Sequence, residues 1–206
     1  MVVDDEPDVV DLLSLMLESQ GYDIITAYGG SECLEKLEHE IPDLILLDLI
    51  MPDVDGWEVL DRIRQNERLK SVFVIILTAK QLTAEVVQKK AQYIAEYLVK
   101  PVTKGGLISA IENIASYSKE LNEFTEAAER SGVDQVTIDR YIELDRQVGT
   151  YKRLCTSLIQ TFTRRRLKAD GSAKNTMDSV KQLISLRERD LMKLHEEIEE
   201  RIEADR

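Results

Sequence analysis

The sequence lacks the features that mark a membrane, secreted or metal-thiolate protein. It has only two cysteines in 206 residues, Cys33 and Cys155, and neither forms a metal-ligand spacing with the other or with His39 and His195. No apolar stretch approaches the length that spans a bilayer, and the first residues do not resemble a basic and apolar leader. We therefore expect a reduced, cytoplasmic protein with no membrane insertion.

Basic side chains are scarce in the first part of the chain. Residues 1–116 hold 10 basic and 21 acidic side chains, whereas the remainder holds 17 and 18. The net charge of −12 argues against non-specific binding of nucleic acid or anionic membranes by the molecule as a whole. The one basic concentration is the run at 163–168, which either contacts nucleic acid phosphates or is an exposed helix end.

Proline is absent after Pro101, and the pattern of apolar residues changes there too. Before that point, short apolar runs alternate five times with helical spacings of apolar residues. This alternation predicts a five-stranded parallel, doubly wound sheet with helices on both faces, an α/β fold over residues 1–116. The predicted strands are residues 1–3, 22–27, 44–47, 72–77 and 97–99, and the fourth helix is predicted over 84–92.

Residues 117–206 show no strand signal and form a predicted all-α, coiled-coil extension. We predict a long helix over 102–130, then helices over 134–168 and 174–204, with a turn at 169–172. The last two helices carry heptad seams, interrupted once by Arg187: Tyr141, Leu144, Val148, Tyr151, Cys155, Leu158 and Phe162, then Met177, Val180, Ile184, Leu191, Leu194 and Ile198. An antiparallel hairpin of this kind needs a further surface, so it packs on the long helix or on a second copy in a homodimer.

Polar side chains follow several of the predicted strands, at the point where each strand ends. Asp4 and Asp5 follow the first strand, Asp48 follows the third, and Thr78 and Lys100 follow the fourth and fifth. The carboxyl ends of parallel strands meet at one edge of an open sheet, which is where such folds bind ligands. We therefore expect these five side chains to lie close together.

The predicted cluster suits phosphoryl transfer onto a carboxylate. Three crowded carboxylates raise one another's pKa unless a cation holds them, and Mg²⁺ prefers such oxygen ligands and bridges to phosphate. Lys100 can neutralise a transferred oxyanion, and the Thr78 hydroxyl can donate to a phosphoryl oxygen. Asp48 is the predicted acceptor because it ends the central strand.

The same residues resemble the receiver domain of two-component response regulators, whose sheet is flavodoxin-like. The shared elements are Asp4-Asp5, Asp48 followed by Met51-Pro52 and Gly56, Thr78-Ala79, and Lys100-Pro101. The resemblance implies that a sensor histidine kinase phosphorylates Asp48. It further implies that Asp5, Asp48 and the Ile50 carbonyl bind Mg²⁺, with Asp4 acting through water. It also implies that Thr78 moves toward the phosphoryl group and that Tyr97 swings inward behind it.

Several positions depart from the family pattern. The first strand has only three residues before the acidic pair, so either the start is truncated or that strand is weakly anchored. Residues 89–96 lack the small Gly-Ala pair that is common before the fifth strand. Ile50 and Lys80 occupy positions that influence the lifetime of the phosphorylated state in this family. Because apolar Ile50 should hinder the attacking water, we expect slow self-dephosphorylation.

Two functions follow from the sequence. The first is a response regulator in which phosphorylation switches a helical dimerisation or protein-interaction output, with an unidentified downstream protein target. The alternative is a transcriptional or RNA-level regulator that acts through the basic residues 164–168. A conventional enzyme is disfavoured because the chain has no nucleotide-binding loop, so its expected chemistry is limited to its own phosphorylation and dephosphorylation. His195 has no kinase-like motif around it, and we expect it on a solvated helix face.

Overall fold

The computed structural model describes residues 1–80, 83–162 and 171–204. Within these residues, contacts divide the chain into two units. The sheet unit comprises Met1–Leu82 and Tyr93–Ile111, and the helical unit comprises Thr83–Gln92 and Glu112–Arg206. The division thus falls a few residues before the predicted boundary at 116, and it assigns the fourth helix to the helical unit. No helix in the described ranges combines the length and apolar character needed to cross a bilayer.

Strands and helices alternate through the first hundred residues, as the apolar pattern predicts. The elements of this part are β1 (Val2–Val3), α1 (Pro7–Glu18), β2 (Thr26–Ala27), α2 (Gly30–Leu37), β3 (Leu44–Leu47), α3 (Gly56–Gln65), β4 (Phe73–Thr78), α4 (Ala84–Lys90) and β5 (Glu96–Val99). Short 3-10 turns follow α3 at Glu67–Leu69 and α4 at Ala91–Tyr93. Three long helices complete the described chain: α5 (Lys104–Arg130), α6 (Gln135–Phe162) and α7 (Gly171–Ala204).

The sheet is entirely parallel, and its described strands lie in the order β2-β1-β3-β4-β5. This confirms the predicted fold class. The central strands β3 and β4 are almost wholly buried, as expected for a sheet covered by helices on both faces. The direction of winding reverses between β1 and β3, which creates the crevice where open α/β sheets bind ligands.

The two strands at the start of the sheet are shorter than predicted. β2 covers only Thr26–Ala27 because its sole partner in the sheet, β1, has two paired residues. β1 is nevertheless held on both sides: the Val2 N–H donates to the Ile25 carbonyl, and the Val3 carbonyl accepts from the Asp48 N–H. The described first strand is therefore firmly anchored in the sheet, despite its length.

The first residues of α5 and α6 are determined by capping side chains, which the periodicity of apolar residues does not reveal. Thr103 accepts a hydrogen bond from the Gly106 N–H, so α5 begins at Lys104 rather than at 102. Asp134 caps α6 by accepting from the Thr137 N–H. The break between these helices is at Gly132, whose φ of 75° suits a helix C-terminus.

Two details of the predicted hairpin differ from the structure or lie outside it. Gly171 and Ser172 were predicted to lie in a turn, but they form the first turn of α7, where the amides need no intrahelical partners. Helix α6 is described as far as Phe162, and the predicted continuation to 168 lies outside the described residues together with the basic run.

The helical unit has its own apolar core. Described seam residues of α6 are buried, among them Cys155, and the cluster formed with α5 and α7 comprises Leu121, Ala128, Val133, Ile138, Tyr141, Leu144, Leu194 and Ile198. Polar pairs show that α6 and α7 are antiparallel: Tyr141 lies opposite His195, and Lys152 lies opposite Glu188 at 2.6 Å. The hairpin therefore packs on the long fifth helix of the same chain, one of the two predicted arrangements.

His195 is only partly solvated, because its side chain is 39 % exposed and its ring also contacts two other helices. Its ring stacks on Phe124 of α5 with centroids 4.7 Å apart, and its Nδ1 lies 2.9 Å from the Tyr141 hydroxyl of α6. Its Nε2 faces Glu199 at 3.3 Å. The aromatic neighbours come from other helices, so the charged sequence around His195 gives no sign of them.

Candidate functional site

Three carboxylates meet at the crevice between β1 and β3. Asp4 follows β1, Asp48 follows β3, and one carboxylate oxygen from each of Asp4, Asp5 and Asp48 lies within 4.8 Å of the others. Asp4 is 1 % exposed and Asp48 is 5 % exposed. The structure thus brings the predicted acidic residues together and places two of them where water solvates them poorly.

Lys100 supplies the positive charge on the other side of the site. It follows β5, and its Nζ lies 2.5 Å from Asp4 Oδ2 and 3.4 Å from Asp48 Oδ2. Burial alone would lower the pKa of Lys100, but its hydrogen bonds and ion pairs with the two carboxylates outweigh this and raise the pKa. Lys100 is therefore a permanent cation at neutral pH.

The positive charge of Lys100 does not fully neutralise the negative charge of the acidic cluster. The pKa of Asp4 is raised, first because burial disfavours its charged form and also because Asp48 is near, although the Lys100 hydrogen bond works in the opposite direction. A carboxylate whose ionised form remains disfavoured beside a lysine can bind a further cation. The oxygen donors and close spacing fit Mg²⁺, so Asp4, Asp5 and Asp48 are suitable residues to hold it.

The loop after β3 displays Asp48 and fixes one of its oxygens. The Leu49 N–H donates to Asp48 Oδ1 at 2.7 Å, which leaves Oδ2 facing Lys100. The chain then turns back so closely that a Cβ on Gly56 would overlap the Asp48 carbonyl oxygen, so only glycine fits there. Ile50 lies in this loop with its side chain 58 % exposed.

Thr78 and Tyr97 lie on the neighbouring strands and bind the loop after β4. Thr78 ends β4, is fully buried, and its hydroxyl oxygen accepts from the Lys80 N–H at 3.4 Å. Tyr97 is also buried, and its hydroxyl donates to the Lys80 carbonyl at 2.8 Å. The resemblance implies that Tyr97 swings inward, and in this structure its ring already lies inside.

The electrostatic environment links Tyr97 to the acidic cluster. Burial, followed by the nearby negative charge of Asp48, raises the pKa of Tyr97 to about 12. Sequence reasoning did not identify the Lys80 carbonyl as the partner of this hydroxyl, because a backbone acceptor leaves no signature in the side-chain pattern. The hydrogen bond fixes the position of the Lys80 carbonyl.

A family model described as "Response regulator receiver domain" matches residues 1–112. Alkaline phosphatase synthesis transcriptional regulatory protein PhoP of Bacillus subtilis is 43 % identical over 101 residues, which are 49 % of this chain and 41 % of that protein. Transcriptional regulatory protein TrcR of Mycobacterium tuberculosis is 30 % identical over 139 residues, which are 68 % and 52 % of the two chains. The chain thus spans about half the length of these curated relatives.

Solved structures give the same picture of the sheet unit. A response regulator receiver domain protein from Clostridium thermocellum is similar with a TM-score of 0.52 and 30 % identity, over 58 % of this chain and 95 % of that one. A CheY-like receiver domain protein from Methanospirillum hungatei has the same TM-score at 28 % identity, over 58 % and 95 %. The matched family model ends before most of the helical unit.

Proposed function

Because the chain belongs to the response regulator receiver family, we propose that it is a switch in which Asp48 accepts a phosphoryl group in a Mg²⁺-dependent reaction. Receiver domains of two-component systems in general work with a histidine kinase, and we propose such a kinase as the phosphodonor. The observation that carries the proposal is the cluster of Asp4, Asp5 and Asp48 beside Lys100, in which Asp4 and Asp48 are buried.

In the proposed transfer, a carboxylate oxygen of Asp48 forms a bond to phosphorus while the P–N bond of the donor phosphohistidine breaks. Its imidazole leaves with the electron pair and takes up a proton from solvent. Lys100 lies against Asp48 Oδ2 and can neutralise charge on the transferred group. The Thr78 hydroxyl can donate a hydrogen bond to a phosphoryl oxygen after it turns from the loop. Bound Mg²⁺ would neutralise charge on the phosphoryl oxygens as transfer proceeds.

Asp5, Asp48 and the Ile50 carbonyl are the proposed protein ligands of Mg²⁺, with Asp4 acting through water. Mg²⁺ keeps several waters and needs few protein oxygens, which suits a cluster of this size. Ile50 lies two residues after the acceptor, and its apolar side chain cannot orient an attacking water as a polar group at that position would. We therefore propose that the phosphorylated form loses its phosphoryl group slowly. No reaction on a separate substrate is proposed.

The helical unit is the proposed output. Phosphorylation would change how its helices pack or which surface they present to a downstream protein. Homodimerisation through this unit stays a prediction. Most of the described seam residues that suggested it are already buried within the chain, so a dimer that used them would require the helical core to open.

Nucleic-acid binding is the second candidate, because two curated relatives carry the name of transcriptional regulatory proteins. Its proposed contact, the basic run at 164–168, lies outside the described residues. Binding to DNA and RNA probes should be measured over a salt series, since charge-driven binding weakens steeply as salt rises. Complete absence of binding at low salt would eliminate this candidate.

Incubation with phosphoramidate and Mg²⁺, followed by intact-protein mass measurement, tests the leading proposal. The chain should gain one phosphoryl group, and Asp48→Asn should gain none. Asp23→Asn, at an exposed position, is the matched control and should behave like the parent protein. Labelling that survives in Asp48→Asn would refute the assignment.

A further inference from the structure

Two side chains of α2 anchor strand β2. The only neighbour of β2 among the described strands is β1, so the strand is held by the sheet on one side alone. Lys36 Nζ donates to the Thr26 carbonyl at 2.6 Å, and Glu32 Oε2 accepts from the Tyr28 N–H at 2.8 Å. The backbone on either side of Ala27 is therefore held by α2.

Glu32 and Lys36 also form an ion pair with each other, at 2.7 Å and about one helical turn apart. A pair of this kind on a protein surface contributes little to stability by itself. It does keep each side chain in the orientation in which it reaches β2, and both side chains are less exposed than those of the matching pair Glu58–Arg62 on α3. The hold on the backbone of β2 therefore distinguishes this pair from an ordinary surface pair.

The anchored strand in turn restrains the backbone that carries the acidic residues Asp4 and Asp5. The carbonyl of Ala27, which is fully buried, accepts from the Asp4 N–H at 3.2 Å. Strand β1 ends at Val3, so this hydrogen bond restrains the chain just beyond the strand, where the two carboxylates begin. The position of both acidic residues thus depends on the position of β2.

The same helix contacts the loop that carries Asp48. Helix α2 begins at Gly30, and a Cβ at this position would lie 2.2 Å from the Val54 carbonyl oxygen. Only glycine allows the helix to approach the loop so closely. Helix α2 therefore contacts the Asp48 loop with its first residue and, further along, holds the strand that supports Asp4.

We propose that Glu32 and Lys36 are positioning residues for the cation site, because through β2 they set the place of the acidic pair on β1 relative to the acceptor on β3. This inference rests on the proposed function, in which these carboxylates hold Mg²⁺. Neither Glu32 nor Lys36 is a proposed ligand. Loss of either side chain gives β2 more freedom and weakens cation binding, since ligands that are held in place bind a metal more tightly than mobile ones.

Lys36→Met tests the proposal in the full-length chain, because charge and positioning predict opposite results. Removal of a positive charge favours binding of a cation, whereas loss of the hydrogen bond to the Thr26 carbonyl should weaken it. We expect the Mg²⁺ dissociation constant, measured by titration calorimetry, to rise roughly tenfold, the lower end for loss of a group that orients a metal ligand. Lys36→Arg keeps a donor for the Thr26 carbonyl and should recover most of the affinity.

Arg62→Met is the matched control, since it removes the same charge from the Glu58–Arg62 pair on α3. It should bind Mg²⁺ as tightly as the parent protein or more tightly. Two further measurements separate positioning from a general loss of structure. In Lys36→Met, the Asp4 amide should exchange faster with solvent before any cation is added. Phosphorylation by phosphoramidate at saturating Mg²⁺ should keep the parent rate, because the positioning residues act on cation binding.

Unchanged or tighter Mg²⁺ binding by Lys36→Met would overturn the positioning role. Equal weakening in Lys36→Arg or in Arg62→Met would overturn it as well, because the effect would then not follow the hydrogen bond to β2. Failure of the parent protein itself to bind Mg²⁺ would instead refute the proposed function, and this inference with it.

Discussion

The two units of this molecule differ in how completely their buried polar groups are paired. In the sheet unit, Asp4 and Asp48 are buried next to each other with a single lysine between them. In the helical unit, the buried or half-buried polar groups form complementary pairs between helices, such as Tyr117 with Asp145 and Tyr141 with His195. Buried carboxylates whose negative charge is only partly neutralised indicate a ligand-binding site. Hydrogen-bonded polar pairs on facing helices indicate instead how those helices are aligned.

Removal of the lysine should give the largest effect on stability. Lys100→Gln leaves Asp4 and Asp48 without their buried counter-charge, so we expect a loss of about 3–5 kcal/mol in the free energy of unfolding without Mg²⁺. Urea denaturation measures it, with exposed Lys104→Gln as the control. Mg²⁺ should recover part of the loss. A loss that Mg²⁺ leaves unchanged would show that the acidic cluster does not bind the cation.

A core truncation in the helical unit should also be costly, but Mg²⁺ should not recover it. Ile198→Ala removes a side chain that is 1 % exposed, so we expect a loss of about 2–5 kcal/mol. Val136→Ala, 77 % exposed on α6, should change the free energy of unfolding by less than about 0.5 kcal/mol. Equal losses in the two variants would contradict the described helical core.

Breaking one polar pair of the helical unit should have a smaller effect. Tyr117 donates to Asp145 Oδ2 at 2.6 Å, and burial, then this bond, raises the pKa of the tyrosine. Tyr117→Phe should cost about 1–3 kcal/mol because it leaves the Asp145 carboxylate without this donor. Tyr28→Phe, at an exposed position, is the control for thermal denaturation. A neutral Tyr117→Phe would mean that the pair does not specify helix register.

The smallest expected effect is kinetic and lies in the sheet unit. Ile50→Asn gives the attacking water a hydrogen-bonding partner next to the acceptor. We expect loss of the phosphoryl group to become roughly fivefold faster, equivalent to about 1 kcal/mol of barrier. Phosphoprotein decay followed by mass measures it, with exposed Ile41→Asn as the control. An unchanged decay rate would refute the role assigned to Ile50.

The sequence alone predicts the sheet unit well, because the signals for its strands and site residues lie in short contiguous stretches of the chain. Asp48 and Lys100 each follow an apolar run, and the parallel topology brings strand ends to one edge whatever the helices do. The short β2 was overestimated since its length depends on how much of β1 is available as partner.

The helical unit is less predictable because its contacts join distant segments. Helix α4 is short, and its adjacent Val86 and Val87 give no periodic stripe that would reveal packing on α6 and α7. The charged residues next to His195 in the sequence give no sign that Phe124 of α5 and Tyr141 of α6 pack against its ring. Heptad spacing identified the seams, but it could not decide whether α5 or a second chain would cover them.

The central claim is that the acidic edge of the sheet is a cation-dependent phosphoacceptor site. The most direct test measures the rate at which phosphoramidate phosphorylates Asp48, located by peptide mass mapping, as a function of Mg²⁺ concentration. The account predicts a saturable dependence with a single midpoint, and no incorporation after chelation of the cation. Incorporation that is independent of Mg²⁺, or that occurs at a residue other than Asp48, would contradict it.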